Sequence, residues 1–484
     1  MATKEIGMTN KSVTNNLIWR FLERCGAQGV TFIVSIVLAR LLDPSVYGTI
    51  ALVTVFTSIL QVFVDSGMGN GLIQKKNADD LDFSSVFYFN LSVCLLLYIC
   101  MFFAAPLIAG FYNMPDLTAV VRVLSLTLII SGVKNIQQAY VSRNLLFKKF
   151  FFATLGGTIG AAVIGIWMAW RGYGVWALVA QHLFNATLDT IILWVTVKWR
   201  PKRVFSLERL KGLFSYGWKL LVSALLDTGY NNLRSLIIGK LYTSSDLAFF
   251  NRGKQFPNLI VTNINTSIDS VLLPIMSKEQ DNRDRVRDMT RRAIKTSTFI
   301  MMPLMMGLAV CAVPLIRIVL TDKWIPAAFF LRVFCFTYAF YPIHTANLNA
   351  IKAMGRSDLF LKLEVIKKVV SIAALVCTMF ISVEAMALAL PVTSILGQII
   401  NSWPNRKLLD YSYRAQLLDM LPQIGLSAVM GAIIFLIQFL RLSDVATLLI
   451  QVPLGALIYI VGSKLLHIDS YEYVKGLIKS YTKK

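Results

Sequence analysis

Lys219, Ser223, Asp227, Asn231 and Arg234 follow one another at helical spacing through one apolar stretch, with Tyr230 beside them. At 3.6 residues per turn they share one face. An Asp or Arg turned to lipid at mid-helix costs about 2.5–3.5 kcal/mol. The face therefore lines a wet cavity, or its charges pair, Asp227 with Arg234 or with a neighbouring helix. Lys219 stands near enough to the helix start to snorkel to water. A second face holds Asn258, Thr262, Asn265, Thr266 and Asp269. There Asp269 either holds a coupling ion or accepts a hydrogen bond from a neighbouring helix. Near the N-terminus, Arg20 and Arg24 lie one turn apart with Glu23 between them. Arg24 sits roughly 10 Å or more past the start of its helix. Guanidinium binds phosphate bidentately, which suits a pyrophosphate; the alternative is snorkelling, with Glu23 as partner. Arg332, Tyr341 and His344, with Tyr338, mark a fourth group. Its tyrosines suit stacking on sugars or an interfacial position, and its lone histidine suits a satisfied core residue.

The sequence offers little to catalysis. It has no Walker A loop, nucleophile elbow or HExxH. The six cysteines all lie in apolar runs, and the three histidines, His182, His344 and His467, are scattered. Neither set has metal-ligand spacing. No metal, cofactor or enzymatic activity is expected. A membrane glycosyltransferase or polymerase would need a long outer loop with acidic or Arg-rich motifs, and none is visible.

The elements that must carry these faces follow from composition. Of 484 residues, 56% are hydrophobic and 15% charged, with a mean hydropathy of +0.63. A soluble chain would carry about 25% charged residues. A bilayer crossing needs about 20 apolar residues, and the chain divides into about fourteen such runs with short links. The seventh is expected at 216–239, the eighth at 255–276 and the eleventh at 366–382. The net charge of +22 is not that of a nucleic-acid binder, because the basic residues sit between apolar runs. With the N-terminus inside, cytoplasmic segments hold roughly 34 Lys and Arg and outer loops roughly 7. An even number of crossings then places both termini in the cytoplasm. The chain is polar until Leu17, and no small-residue cleavage site follows the first run, so that helix is expected to stay as an anchor.

A short internal repeat relates Leu38-Ala39-Arg40-Leu41 to Ile238-Gly239-Lys240-Leu241, and Trp19-Arg20 to Trp218-Lys219, the second pair one residue out of register. Parallel repeats imply two six-helix lobes about an axis along the membrane normal. The expected organisation is an all-α membrane protein with a first lobe over 1–200, a second over 201–407, and two further helices with a basic tail over 408–484.

The segment from Leu38 through Asp43-Pro44-Ser45-Val46-Tyr47-Gly48 resembles the first helix–loop signature of the polysaccharide-transporter (Wzx-type) flippases. These belong to the MOP exporter superfamily, with the MATE drug exporters and the lipid II flippases. The resemblance continues through Asp65-Ser66-Gly67-Met68-Gly69-Asn70-Gly71-Leu72-Ile73-Gln74 and Arg143-Asn144-Leu145-Leu146-Phe147-Lys148-Lys149. It extends to Phe249-Phe250-Asn251-Arg252-Gly253-Lys254, Leu272-Leu273-Pro274-Ile275-Met276-Ser277 and Ala350-Ile351-Lys352-Ala353-Met354-Gly355-Arg356. It is best to the branch exporting exopolysaccharide repeat units, of colanic-acid and teichuronic-acid type. It implies a two-lobed, V-shaped flippase in the bacterial inner membrane with a cationic central cavity. The implied substrate is an undecaprenyl-pyrophosphate-linked oligosaccharide. Membrane lipid, a coupling ion (Na+ or H+), and a polysaccharide polymerase with its assembly proteins are the other partners it implies. Arg20, Arg24, Lys219 and Arg234 would be the cavity cations; Glu23 and Asp227 depart from that charge pattern. A cation-coupled multidrug exporter of the MATE type shares the fold and is the alternative.

Overall fold

Helices of membrane length follow one another along the chain. The computed structural model describes the backbone of residues 10–65, 68–75 and 77–482, and their side chains except at 10–18, 20–25, 70, 215–216, 219, 477–478 and 480–482. The long helices are α1 (Asn10–Leu41), α2 (Pro44–Asp65), α3 (Asp80–Tyr112), α4 (Leu117–Arg143), α5 (Phe147–Trp170), α6 (Val175–Thr196), α7 (Leu207–Leu241), α8 (Ser244–Lys278), α9 (Arg283–Val310), α10 (Ala327–Ala353), α11 (Ser357–Thr378), α12 (Val383–Leu408), α13 (Tyr413–Leu440) and α14 (Asp444–Leu465). Eleven are long and apolar enough to cross a bilayer. Among the described residues of α1, Gly26–Leu41 forms a shorter apolar segment. α7 and α11 have the length but carry more charge. The fourteen helices agree with the hydropathy pattern. Phe103, Leu107 and Val195 are 72%, 76% and 77% exposed, a degree of apolar exposure that suits lipid rather than water.

The turns follow local rules. α1 ends at Leu41 and α2 opens on Pro44; α7 ends at Leu241 and α8 opens on Ser244. The two hairpins thus have the same two-residue link in the register of the sequence repeat. Pro44 sits where its missing N–H costs nothing. Ahead of α8, Thr243 Oγ1 accepts from the Asp246 N–H, and Asp246 Oδ2 accepts from the Thr243 N–H, a reciprocal cap. Asp79 and Asp82 build the same device at α3. Gly48 admits the Ser244 backbone: a Cβ at Gly48 would lie within van der Waals overlap of the Ser244 carbonyl.

The chain forms two compact units, residues 1–247 and 248–484. In the first, α5 packs along both α1 and α6, α3 lies on α4, and α7 lies on α2. Met68, Leu72, Phe83, Phe87 and Trp199 centre a buried core. Arg143, from a motif noted in the sequence, donates to the carbonyls of Leu72 and Lys75, closing the C-terminus of the short helix Met68–Gln74. In the second unit, α9 packs on α13 and α10, and α11 lies on α12. Met276, Ile343, Leu409 and Met420 are buried together there. A final amphipathic helix, Asp469–Thr482, rests on α9 through Lys295–Asp469 at 2.6 Å. That ion pair holds the Asp469 carboxyl below its ordinary pKa.

Candidate functional site: polar faces of the spanning helices

In the first unit, α7 begins at Ser206, whose hydroxyl accepts from the Arg209 N–H. The polar face expected in the sequence lies along its middle. Ser223, Asp227 and Asn231 are exposed, and Tyr230 and Arg234 are half-buried. The opposite side meets α2: Asn232 Nδ2 donates to the Thr228 carbonyl at 2.9 Å and to Ser58 Oγ at 3.4 Å. The polar stripe is therefore turned away from that packing contact. The side chains of Lys219, Arg20, Glu23 and Arg24 lie outside the described residues.

In the second unit, α8 carries Asn258, exposed, and Thr262 and Asn265, half-buried. Two contacts bind this face to α10. Thr345 Oγ1 donates to Asn265 Oδ1 at 2.6 Å, and Asn349 Nδ2 donates to Asp269 Oδ1 at 2.9 Å. Asn349 is fully buried, and its own Oδ1 has no hydrogen-bond partner among the described residues. Asp269 thus accepts a hydrogen bond from a neighbouring helix, and its second oxygen keeps further acceptor capacity.

α10 is broken at Phe340, just before Pro342. Proline removes one i→i−4 bond and kinks the helix. The kink delivers His344 to α12. Asn401 Nδ2 lies 3.1 Å from His344 Nδ1, and Nε2 lies 3.4 Å from Ser394 Oγ. Ser394 Oγ itself donates to the Thr337 carbonyl, so it can only accept from the ring. The arrangement fits a neutral imidazole protonated at Nε2. Tyr341 is exposed, and its ring packs against Tyr338 and His344 at centroid distances of 5.6 and 6.2 Å. Arg332 lies on the other limb of α10, exposed, and donates to the Ala309 carbonyl at 3.3 Å. Arg332 and His344 do not form one group.

Two charged groups escaped the sequence reading. On α11, Lys367 Nζ lies 2.6 Å from Glu364 Oε1. Its side chain passes Gly397, where a Cβ would lie 3.5 Å from Lys367 Cδ and 3.4 Å from His344 Cε1. Hence Glu364, Lys367, His344, Ser394 and Asn401 form one polar cluster across α10, α11 and α12. In the first unit, Lys134 of α4 meets Asp189 of α6 at 3.0 Å. A helix start at Gly355-Arg356-Ser357-Asp358 would have exposed the first group, because glycine followed by Ser-Asp is a stop–start signal. No periodicity links Lys134 to Asp189.

Among curated relatives, the chain is 24% identical to the teichuronic acid biosynthesis protein TuaB of Bacillus subtilis over 84% of this chain and 85% of that protein. It is 22% identical to the lipopolysaccharide biosynthesis protein WzxC of Escherichia coli over 84% and 85%. It is 23% identical to the succinoglycan biosynthesis transport protein ExoT of Rhizobium meliloti over 65% and 64%. Among solved structures, the lipid II flippase MurJ in an inward closed conformation superposes with a TM-score of 0.78 at 16% identity, over 93% of this chain and 99% of that one. An inward-facing multidrug resistance MATE transporter of the MOP superfamily gives 0.60 at 14%, over 79% and 94%. The fold is therefore that of the MOP exporters. Residues 37–329, from the end of α1 into α10, match the sequence profile described as "Polysaccharide biosynthesis protein", and the chain belongs to that family.

Proposed function

We propose that the protein is a flippase that carries a polyprenyl-pyrophosphate-linked oligosaccharide from the cytoplasmic to the outer leaflet by alternating access. The observation that carries this reading is the α7 face, Ser223, Asp227 and Asn231 exposed along a membrane-length helix, in a family of polysaccharide biosynthesis proteins. A sugar headgroup cannot cross hydrocarbon unaided, since each stranded polar group costs several kcal/mol. A polar face inside the membrane offers it a wet path. In this reading Arg234, with Arg20, Arg24 and Lys219, binds the pyrophosphate; the remaining polar residues of α7, α8 and α10 receive the sugar; and the prenyl tail stays in lipid. The working lobes are helices one to six and seven to twelve, as the sequence repeat suggests. The basic run from Lys198 to Lys211 and the cluster from Lys278 to Lys295 support cytoplasmic termini in a bacterial inner membrane.

The membrane potential favours outward movement. Two negative charges crossing about 100 mV, inside negative, release at most about 4–5 kcal/mol. The test is a deletion strain with labelled sugar. The lipid-linked unit is expected to accumulate facing the cytoplasm, with surface polymer lost. Complementation by Arg234→Ala should fail although the protein inserts normally. A lipid-linked unit that reaches the outer leaflet in the deletion strain refutes the assignment, once a second flippase is excluded genetically.

A further inference from the structure

A groove of about 430 Å³ runs between α9 and the final helix of the second unit, outside the polar faces described above. Its walls include Arg291, Arg292, Lys295 and Thr296 of α9, and Ser470 and Tyr473 of the final helix. Most of its charges are already engaged. Arg291 makes a bidentate pair with Asp419 at 2.7 Å, Lys295 meets Asp469 at 2.6 Å, and Asp288 lies 3.5 Å from Arg287. Two donors are left over. The Arg292 guanidinium lies over the Tyr473 ring, 5.2 Å from its centroid, and makes no hydrogen bond or ion pair among the described residues. The ring takes one face of the guanidinium and leaves the in-plane N–H fork open. Ser470 is only 3% exposed and lines the groove, and its hydroxyl also makes no hydrogen bond among the described residues. A buried hydroxyl without a partner is unfavourable, so the groove is where its partner belongs. Ser470 also stands in the first turn of the final helix, where free N–H groups favour an anion.

The surroundings have the matching sign. Residues 278–295 hold seven Lys and Arg against four Asp and Glu, and residues 469–484 hold four against two. The groove also lies at the right depth for a lipid head. After Lys295, α9 carries no further charge to its end at Val310. Beside the final helix, α14 ends at Leu465, and Leu465 and Leu466 are 72% and 61% exposed. The groove therefore opens where apolar helix gives way to charged helix, which is the level of the headgroups.

We propose that this groove is a phosphate-binding site that holds the phosphodiester head of one anionic phospholipid. The Arg292 fork donates to two phosphate oxygens, and the Ser470 hydroxyl donates from the opposite wall. The acyl chains lie on the apolar surface at Leu465 and Leu466. A free phosphate meets the same donors but gains nothing from that surface. A bound head ties the final helix to α9 beside the Lys295–Asp469 pair. This binding does not depend on what the protein transports.

The test is native mass spectrometry of the detergent-purified full-length protein with dioctanoyl phosphatidylglycerol, with phosphatidylcholine of the same chain length, or with inorganic phosphate. One phosphatidylglycerol is expected to bind ahead of all others. Arg292→Gln should weaken that first site about tenfold, through loss of a bidentate charge-assisted contact. Ser470→Ala, which removes one buried hydroxyl and little else, should weaken it about three- to fivefold. Arg414→Gln changes the charge equally at an exposed position of α13 outside the groove and should leave the site unaltered. A first site that neither groove variant moves, or that all three variants weaken alike, overturns the assignment. Phosphatidylcholine bound as tightly as phosphatidylglycerol overturns the requirement for an anionic head. Inorganic phosphate that displaces phosphatidylglycerol at equal concentration overturns the lipid as the source and keeps the phosphate site.

Discussion

Replacing Asn347 with leucine tests whether buried amides hold the second unit together. Asn347, Gln416 and Asn405 are each fully buried, on α10, α13 and α12. Asn347 Nδ2 donates to Gln416 Oε1 at 2.9 Å, and Gln416 Nε2 returns a bond to Asn347 Oδ1 at 2.9 Å. Asn405 Nδ2 donates to the same Oδ1 at 2.7 Å. Leucine, with the same number of side-chain heavy atoms, removes these three interhelix bonds together with the Asn347 Nδ2 bond to the Ile343 carbonyl. Gln416 Oε1 is then orphaned, at a cost of about 1–3 kcal/mol. Gln416 Nε2 falls back on the Tyr411 carbonyl at 3.4 Å, and Asn405 Nδ2 on the Asn347 carbonyl at 3.3 Å. These weakened bonds add about 1–2 kcal/mol. A total near 3 kcal/mol lowers the melting temperature by about 6–12 °C, at the 2–4 °C per kcal/mol of a domain this size. The assay is thermal unfolding of detergent-purified protein, with Gln416→Leu and the double variant completing a cycle. The double variant should cost less than the sum of the singles, because it removes both members of the reciprocal pair. A shift below about 2 °C for Asn347→Leu, or strict additivity in the cycle, refutes the reasoning.

Two further outcomes follow from the geometry. A Cβ at Gly253 would stand 2.5 Å from Phe330 Cβ and 2.7 Å from the Leu331 nitrogen, so Gly253→Ala must displace backbone. It should cost about 1–3 kcal/mol, read as a lower melting temperature, and an unchanged value would contradict the close approach of α8 to α10. Asp79→Ala removes the α3 cap and should cost about 1 kcal/mol near neutral pH. The Asp82 backbone N–H, with Arg209 and Lys75 adding to it, holds the Asp79 carboxyl below its ordinary pKa. The cap's contribution is therefore complete above the unfolded value, near pH 4, and is lost as pH falls through the lower folded value. The gap between variant and wild type should close in that acid window, and a gap that widens there would contradict the sign.

The helix count was legible because lipid leaves a spanning chain little alternative to about 20 apolar residues closing their own hydrogen bonds. Helix starts were less so. α7 begins at Leu207, α8 at Ser244 and α11 at Ser357, each about nine or more residues before the hydropathy pattern places it. Beyond the bilayer a helix need not be apolar, so hydropathy stops reporting there. On α11, Glu364, Lys367 and Lys368 depress the signal further. The α7 face was legible from spacing alone. The partners of Asn265 and Asp269, Thr345 and Asn349, were not, because pairing across 80 residues follows from packing rather than periodicity. Lys134 and Asp189 are single charges on separate apolar helices, and only the packing of α4 on α6 joins them.

The charge carried by α7 and α11 disfavours their insertion into lipid and has to be met within the protein or by what it solvates. Lys219, Asp227 and Arg234 on α7, turned to lipid, would together cost about 8–10 kcal/mol on the insertion scale. That is comparable to the whole stability of many domains. On α11 the burden is met locally: Glu364 and Lys367 neutralise each other at 2.6 Å, and Gly397 makes room for the lysine chain. On α7 the side facing α2 is closed by Asn232 and by Gly239 against Leu52, while Ser223, Asp227 and Asn231 stay exposed. Polar groups exposed along a spanning helix are met by water, by substrate or by another helix, since lipid cannot solvate them. In the proposed flippase the polar face of α7 lines the path through the membrane, whereas α11 settles its own charge by local pairing.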